Sequence, residues 1–325
     1  MTSKSVLSEI KAEETMSDLG KESPKQYKWN IVWTSVIKQV YIHAIALYGL
    51  LCFSLLQYWT ILWTFIIGTA SLIGFTAGAH RLWSHRTYKA KWQLRLLLMG
   101  LQTIAFQGSI YDWSRDHRSH HKFTDTDADP YNVSRGYFFS HIGWVVLRKH
   151  PDVLKKGATV SCSDLEKDPI VVFQRKYYLY LVFVLAFIMP TLVPWLIWNE
   201  SLWYSGVASV IRICITLHVA LSVNSVAHRW GMRPYDNSIS SVENAVISVL
   251  ACGEGWHNYH HVFPWDYKTA EFGSYAMNIT TAFIDFFALI GWVYDRKTAP
   301  ADMVKKHVLR NTKENIDKNT IKQID

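Results

Sequence analysis

Residues 59–85 read WTILWTFIIGTASLIGFTAGAHRLWSH. Positions 59–77 carry no charge and reach the roughly 20 residues that a helix needs to cross the hydrocarbon core of a bilayer. Directly behind them the chain turns polar and presents His80 and His85. An apolar span that opens straight onto imidazoles decides how the rest is read. The chain is expected to be an all-α integral membrane protein whose chemistry sits where its spans leave the bilayer.

Working outward, three further runs approach or reach spanning length: 40–56, 177–198 and 203–223. The links near Gln57–Tyr58 and Asn199–Leu202 are short, which predicts two antiparallel helical hairpins. The 325 residues are 50% hydrophobic and 14% aromatic with a formal net charge of +8. Mean hydropathy near zero therefore averages apolar blocks against segments dense in Lys, Arg, Asp and His. Neither link contains Lys or Arg, whereas the N-terminal arm, the central segment and the C-terminal region hold nearly all of them. The positive-inside rule places those three parts, and both termini, in the cytosol. Tyr58, Trp59, Trp195, Trp198, Trp203 and Tyr204 at the span ends suit the interfacial aromatic belt.

The expected organisation is a flexible polar arm over 1–30, a main domain over 31–310 and a polar tail over 311–325. A helical cytosolic cap, 78–176 plus 224–310, covers the four spans. Segments 92–107 and 275–294 read as helices too short or too polar to span, suited to the interface. The arm has no short apolar core or cleavage site, so no signal peptide is expected and the first span serves as targeting signal. Cys52, Cys162, Cys214 and Cys252 lack paired spacing. Neither a disulfide framework nor a thiolate metal site is expected.

Fourteen histidines occur, and nine of them cluster. His80 and His85 lie in HRLWSH; His117, His120 and His121 form HRSHH; His228 lies in NSVAHRWG; His257, His260 and His261 form HNYHH. All fall on the predicted cytosolic side. Positions i, i+3 and i+4 share a helix face, so each HxxHH box presents three imidazoles together. Imidazole suits iron, zinc, copper and nickel. Nine ligands exceed what one ion uses, so two metals are expected. His80 and His85, five apart, diverge by about 140° on a regular helix and share a metal only where the helix ends or bends. His43, His141, His150, His218 and His307 read as ordinary hydrogen-bonded or surface residues.

No HExxH occurs, so a zincin-type protease is unsupported. A ferritin-like di-iron bundle uses two Glu-x-x-His motifs; this chain has one, Glu254 to His257. A histidine-dominated metal pair at the mouth of apolar spans suits oxidation of a lipid chain by O₂, with the chain in a tunnel and its polar head in water.

The stretches AGAHRLWSHRTYKA, DHRSHHKFTDTDADP, NSVAHRWG and GEGWHNYHHVFPWDYK resemble the membrane acyl-CoA desaturases of animals, the stearoyl-CoA desaturase group. HVFPWDYKTAEFG is most similar to insect members, including those of moth pheromone synthesis. The resemblance, over about 28–310, implies four transmembrane helices under a cytosolic cap in the endoplasmic reticulum. It implies two irons held by His80, His85, His117, His120, His121, His228, His257, His260 and His261, with Asn224 holding a water on one of them. It further implies O₂, a fatty acyl-CoA, and electrons from NADH through cytochrome b5 and its reductase, yielding a double bond at delta-9 or delta-11. The chain lacks an HPGG haem signature, so the donor is expected to be a separate protein, which the basic cytosolic face could dock. No nucleic acid partner is expected.

For the acyl-CoA head the family pattern points to Gln107, Trp113, Arg115, Asp116, Arg148 and Lys149; Arg and Lys suit phosphates. Gly108 stands where the family has Asn. Ala220 and Leu221 replace a Thr-Trp pair of vertebrate relatives, and Gly68 replaces a large residue near the tunnel end. These changes are expected to alter chain length or double-bond position. Arg212, inside the fourth span, is costly in lipid and is expected to be a buried partner to a carbonyl or another helix. Asn199-Glu200-Ser201 matches a glycosylation acceptor too close to the membrane to be used. Two other classes compete: a lipid hydroxylase with similar metal geometry, and a metal transporter or sensor. The latter needs ionisable residues along the spans, which hold few.

Overall fold

The computed structural model describes residues 28–271 and 274–321; positions 1–27 of the expected arm lie outside them. Among the described residues four helices are long and apolar enough to cross a membrane: Trp33–Leu51, Tyr58–Ser84, Pro169–Trp198 and Leu202–His228. They correspond to the four expected spans, with shifted ends. The first starts at Trp33 and stops at Leu51, where a 3-10 turn, Phe53–Leu55, takes over. The others run on into the cap. An apolar run measures the bilayer, whereas a helix needs only an unbroken ladder of backbone bonds, so polar residues extend it. The third begins with Pro169 in its first turn behind Asp168, whose carboxylate accepts from the Ile170 and Val171 amides, a strong start signal.

The fourth span packs against the other three. Gly49 of the first lets it approach closely: a Cβ there would lie 2.5 Å from Ile211 Cδ1. Close approach at small residues is how helices associate in lipid. Arg212 is buried and donates to the carbonyls of Ile104 (2.9 Å) and Ala186 (2.8 Å), the role expected for it. At one end of the bundle Glu200, 3% exposed, accepts from Gln57 N (2.9 Å), Thr60 Oγ1 (2.7 Å) and Ser201 N (2.9 Å). One carboxylate thus ties both links together, and both hairpins turn at the same end. Phe65, Leu179 and Ile197 are each more than 70% exposed. So much bare apolar surface on the spans suits hydrocarbon, not water.

At the opposite end sits the cap. Helix Ile110–Phe123, N-capped by Ser109, carries the second histidine box. It packs with Tyr88, Leu94, Leu98, Leu165 and Ile284 in one core. Lys89–Ala90 pairs antiparallel with Val293–Tyr294, Lys89 opposite Tyr294. Helix Trp92–Ile104, expected in the interface, is clamped to the second span: a Cβ on Gly74 would meet Gln102 N at 2.5 Å. It keeps Trp92, Leu96 and Leu97 exposed. Helix Ile279–Leu289 likewise buries Ile284 and Phe287 while exposing Phe286 and Leu289. The stretch from 311, expected as a loose tail, belongs to helix Ala301–Ile321. Val304 packs on Tyr235, Tyr259 and Phe263, and buried Asn311 bonds the Asn237 amide (2.9 Å) and Arg233 carbonyl (2.7 Å).

Candidate metal centre

The second span changes winding as it leaves the apolar zone. Residues Gly74–Ser84 are π-helical, and the His85 amide bonds the His80 carbonyl five residues back at 3.2 Å. The wider i→i+5 turn brings residues five apart to the same side. His80 and His85, divergent on an α-helix, here have ring centroids 4.9 Å apart.

Nine imidazoles converge in two groups. His80, His85, His117, His121 and His260 form one; His120, His228, His257 and His261 form the other. Each HxxHH box therefore divides between the groups, and it is the pairing of the two boxes that builds both. In the first group Nε2 atoms face each other at 2.8 Å (His85 and His117), 2.9 Å (His80 and His260) and 3.0 Å (His121 and His260). In the second, His228, His257, His261 and His120 form a chain of Nε2 contacts of 3.0, 3.1 and 3.3 Å.

The outer ring nitrogens explain why those atoms point inward. His80 Nδ1 sits 2.8 Å from a Glu254 oxygen, His120 Nδ1 2.8 Å from Asp129 Oδ1, and His228 Nδ1 2.7 Å from Ser240 Oγ. A carboxylate only accepts, so Nδ1 of His80 and of His120 carries a proton and Nε2 is the atom turned to the cluster. Such carboxylate–histidine pairs are how metal ligands are oriented. Burial, then the neighbouring imidazoles, holds His85, His117, His121, His260 and His261 well below the ordinary imidazole range, and His257 at about 3. Rings held in the neutral form keep lone pairs available to a cation. The donor set fits metal ions.

Sequence reading missed the arginines that hold the cluster together. Arg81, fully buried, donates to Glu254 (3.1 Å), the Tyr267 and Lys268 carbonyls, Thr281 and Asn278. Arg118 bonds the Trp83 and Ser84 carbonyls at 2.6 and 3.0 Å and Asp164 at 2.7 Å. Arg229, which follows His228 in the same His-Arg pattern, is exposed, so the pattern alone does not identify a clamp. Gly255 is also required. A Cβ there would lie 2.2 Å from Ser248 N and 2.3 Å from Asn244 O, backbone atoms that cannot yield. Gly255→Ala is expected to cost about 3 kcal/mol by overpacking, seen as a lower unfolding temperature in detergent; an unchanged temperature refutes the close fit.

A cavity of about 50 Å³ borders the histidines, lined by His80, His117, His257, Asn224, Gln107, Trp113, Trp144, Ala220 and Leu221 among others. Trp113 stacks on His117, centroids 4.7 Å apart. Gln107, Trp144 and Leu221 also line a cavity of about 210 Å³ that reaches Lys38 and Gly108. Gln107 Nε2 is buried and has no partner among the described residues. Arg115 pairs with Asp116 at 3.0 Å, which also pairs with Lys149; Arg148 is exposed. Gly68 lies apart from Ala220 and Leu221, in a cavity of about 310 Å³ with Arg212 and Thr216 between the second and fourth spans. A hollow of about 820 Å³ beside Trp83, Arg86 and Lys297 is lined by none of the nine histidines.

Comparison with known proteins agrees with this geometry. A family model described as fatty acid desaturase matches residues 57–270. The chain belongs to that family. It is 53% identical to an acyl-CoA Delta-9 desaturase of Acheta domesticus over 293 residues, 89% of this chain and 81% of the relative. It is 48% identical to an acyl-CoA Delta(11) desaturase of Trichoplusia ni over 291 residues, 89% and 83% of the two chains. A stearoyl-CoA desaturase 5 of Bos taurus is 50% identical over 285 residues, 87% and 85%. As a member of this family the protein is a multi-pass membrane oxidoreductase.

Proposed function

We propose that this protein is a fatty acyl-CoA desaturase of the endoplasmic reticulum membrane, with both termini cytosolic. The observation that carries the reading is the pair of convergent imidazole groups beside a cavity leading in among apolar spans. His80, His85, His117, His121 and His260 would hold one iron; His120, His228, His257 and His261 the other, with Asn224 placing a water. Bound iron would supply the activation of O₂ needed to oxidise an unactivated CH₂–CH₂ unit. Overall, R–CH₂–CH₂–R′, O₂, two electrons and two protons give R–CH=CH–R′ and two waters, the electrons coming from cytochrome b5 and its NADH-dependent reductase.

The protein's part is positioning. Gln107, with its uncommitted buried amide, is placed to bind the substrate's polar arm. Arg115, Asp116 and Lys149 form a charged rim that can exchange an internal pair for a phosphate, and exposed Arg148 extends it. Trp113 and Trp144 close the approach and exclude water, while Ala220 and Leu221 set the width beside the histidines. The insect relatives are named for delta-9, delta-11 and delta-12 desaturation; our reading keeps delta-9 or delta-11 placement and a role in insect lipids or pheromone synthesis.

Expression in yeast lacking its own desaturase tests this. Growth without added unsaturated fatty acid, with one new double bond located by mass spectrometry, is the expected result; a hydroxylated product overturns it. Gly68→Leu fills the space before Arg212 and Thr216, where a Cβ has 3.5 and 3.8 Å of room. It is expected to shift product toward shorter chains, and an unchanged spectrum removes Gly68 from the tunnel.

A further inference from the structure

Three histidines that read as ordinary are linked where the first and fourth spans meet the cap. His43 of the first span has Nδ1 2.6 Å from the Gln39 carbonyl and Nε2 2.8 Å from His218 Nε2. His218 of the fourth span has Nδ1 3.0 Å from Nε2 of His141 in the cap. His141 Nδ1 lies 2.8 Å from Ser225 Oγ, which in turn lies 3.0 Å from the Leu221 carbonyl. Cys214 stands one turn before His218, and its sulfur and one ring nitrogen of each of His43 and His218 lie within 4.8 Å of one another.

Proton counting along this chain leaves a gap. Carbonyls only accept. The Gln39 carbonyl requires a proton on His43 Nδ1, and the Ser225 hydroxyl, whose one proton goes to the Leu221 carbonyl, accepts one from His141 Nδ1. His141 Nε2 is then a lone pair, which takes the proton of His218 Nδ1. Ser225 is free to donate to Leu221 O at 3.0 Å, so every other contact is satisfied. What remains is His43 Nε2 facing His218 Nε2 at 2.8 Å, lone pair to lone pair, with a thiol beside them. The arrangement repeats the inward-facing nitrogens of the large cluster, down to Nδ1 protons fixed by outer acceptors, as metal-ligating imidazoles require.

We propose that His43, His218 and Cys214 form a third metal site, distinct from the nine-histidine centre, for a borderline or soft ion, zinc or cuprous copper. Two imidazoles and a thiolate select those ions. Metal–sulfur and metal–nitrogen bonds of about 2.3 and 2.0 Å ask the sulfur to move by about 1 Å. The ion joins the first span to the fourth, with His141 of the cap orienting one ligand. Its role is structural: it fixes the wall that carries Gln39 and Leu221 of the cavity reaching Gln107.

The test uses full-length protein purified in detergent with its iron, equilibrated separately with zinc and with copper kept reduced, then freed of loose metal. Expected is one equivalent of zinc or copper per chain beyond the iron complement. It falls more than tenfold in His43→Ala and in Cys214→Ser while iron stays unchanged, which also reports that both variants fold. Cobalt added to wild type should give a thiolate-to-metal charge-transfer band that Cys214→Ser lacks. Should His43→Ala fail to fold, protection of Cys214 from alkylation by zinc in the wild type carries the same information. No extra equivalent of either metal, or equal uptake by wild type and Cys214→Ser, overturns the site and leaves a shared proton as the cation.

Discussion

Replacing His261 with alanine is expected to abolish desaturation in the yeast assay, leaving product at the level of cells without the enzyme, and to lower bound iron from two ions per chain toward one. His261 occupies the middle of the second group, with Nε2 contacts to His257 at 3.1 Å and to His120 at 3.3 Å, and a four-histidine group has no spare ligand. Asp129→Asn is milder by design. It keeps every histidine and weakens the carboxylate that holds His120 Nδ1 and the Asp125 and Tyr131 amides, where loss of an orienting carboxylate costs about 10–100-fold in affinity or activity. A His261→Ala protein that keeps both irons and a tenth of its activity would end the reading of this group as a metal site.

Arg81→Met is expected to have the largest effect on stability. The Glu254 carboxyl is pushed up by burial, but Arg81 and then His80 outweigh that and hold it at about 2. It is therefore charged at any working pH. Its folded value lies below the ordinary 4.5, so the stabilisation is complete above that value and fades as pH falls toward 2. Removing Arg81 strands that charge in the interior, which costs about 3–5 kcal/mol. It also leaves the Tyr267 carbonyl and Asn278 without donors they now use. The unfolding temperature in detergent should fall by roughly 6 °C or more. Adding Glu254→Gln should recover part of the loss. If the double variant is no more stable than the single one, the electrostatic explanation fails and the arginine acts through its carbonyl bonds alone.

Much of this was legible in advance, for identifiable reasons. Runs such as 59–77 match the thickness of the bilayer's hydrocarbon core, and the shortness of the links predicted their pairing. The spacing of the two HxxHH boxes singled out six of the nine clustered histidines, because positions i, i+3 and i+4 share a helix face. Arg212 was expected to meet a carbonyl because lipid gives an arginine no other partner, and it meets two. Helix ends were less legible: backbone bonding carried the second, third and fourth spans into the cap beyond their apolar stretches, and carried the last helix to Ile321 through residues with no apolar face to announce it.

Composition and local spacing, then, determined by themselves that this is a four-span membrane protein with a histidine centre at one membrane face, since hydropathy and helix periodicity act within a few turns of chain. Only the folded structure decided how each box divides between two groups, that a π-turn brings His80 and His85 together, that Arg81 and Arg118 are buried clamps while Arg229 is not, and that Cys214 meets two histidines from different helices. Those are contacts between segments up to 180 residues apart, and nothing in either segment records the other until the chain has closed around both.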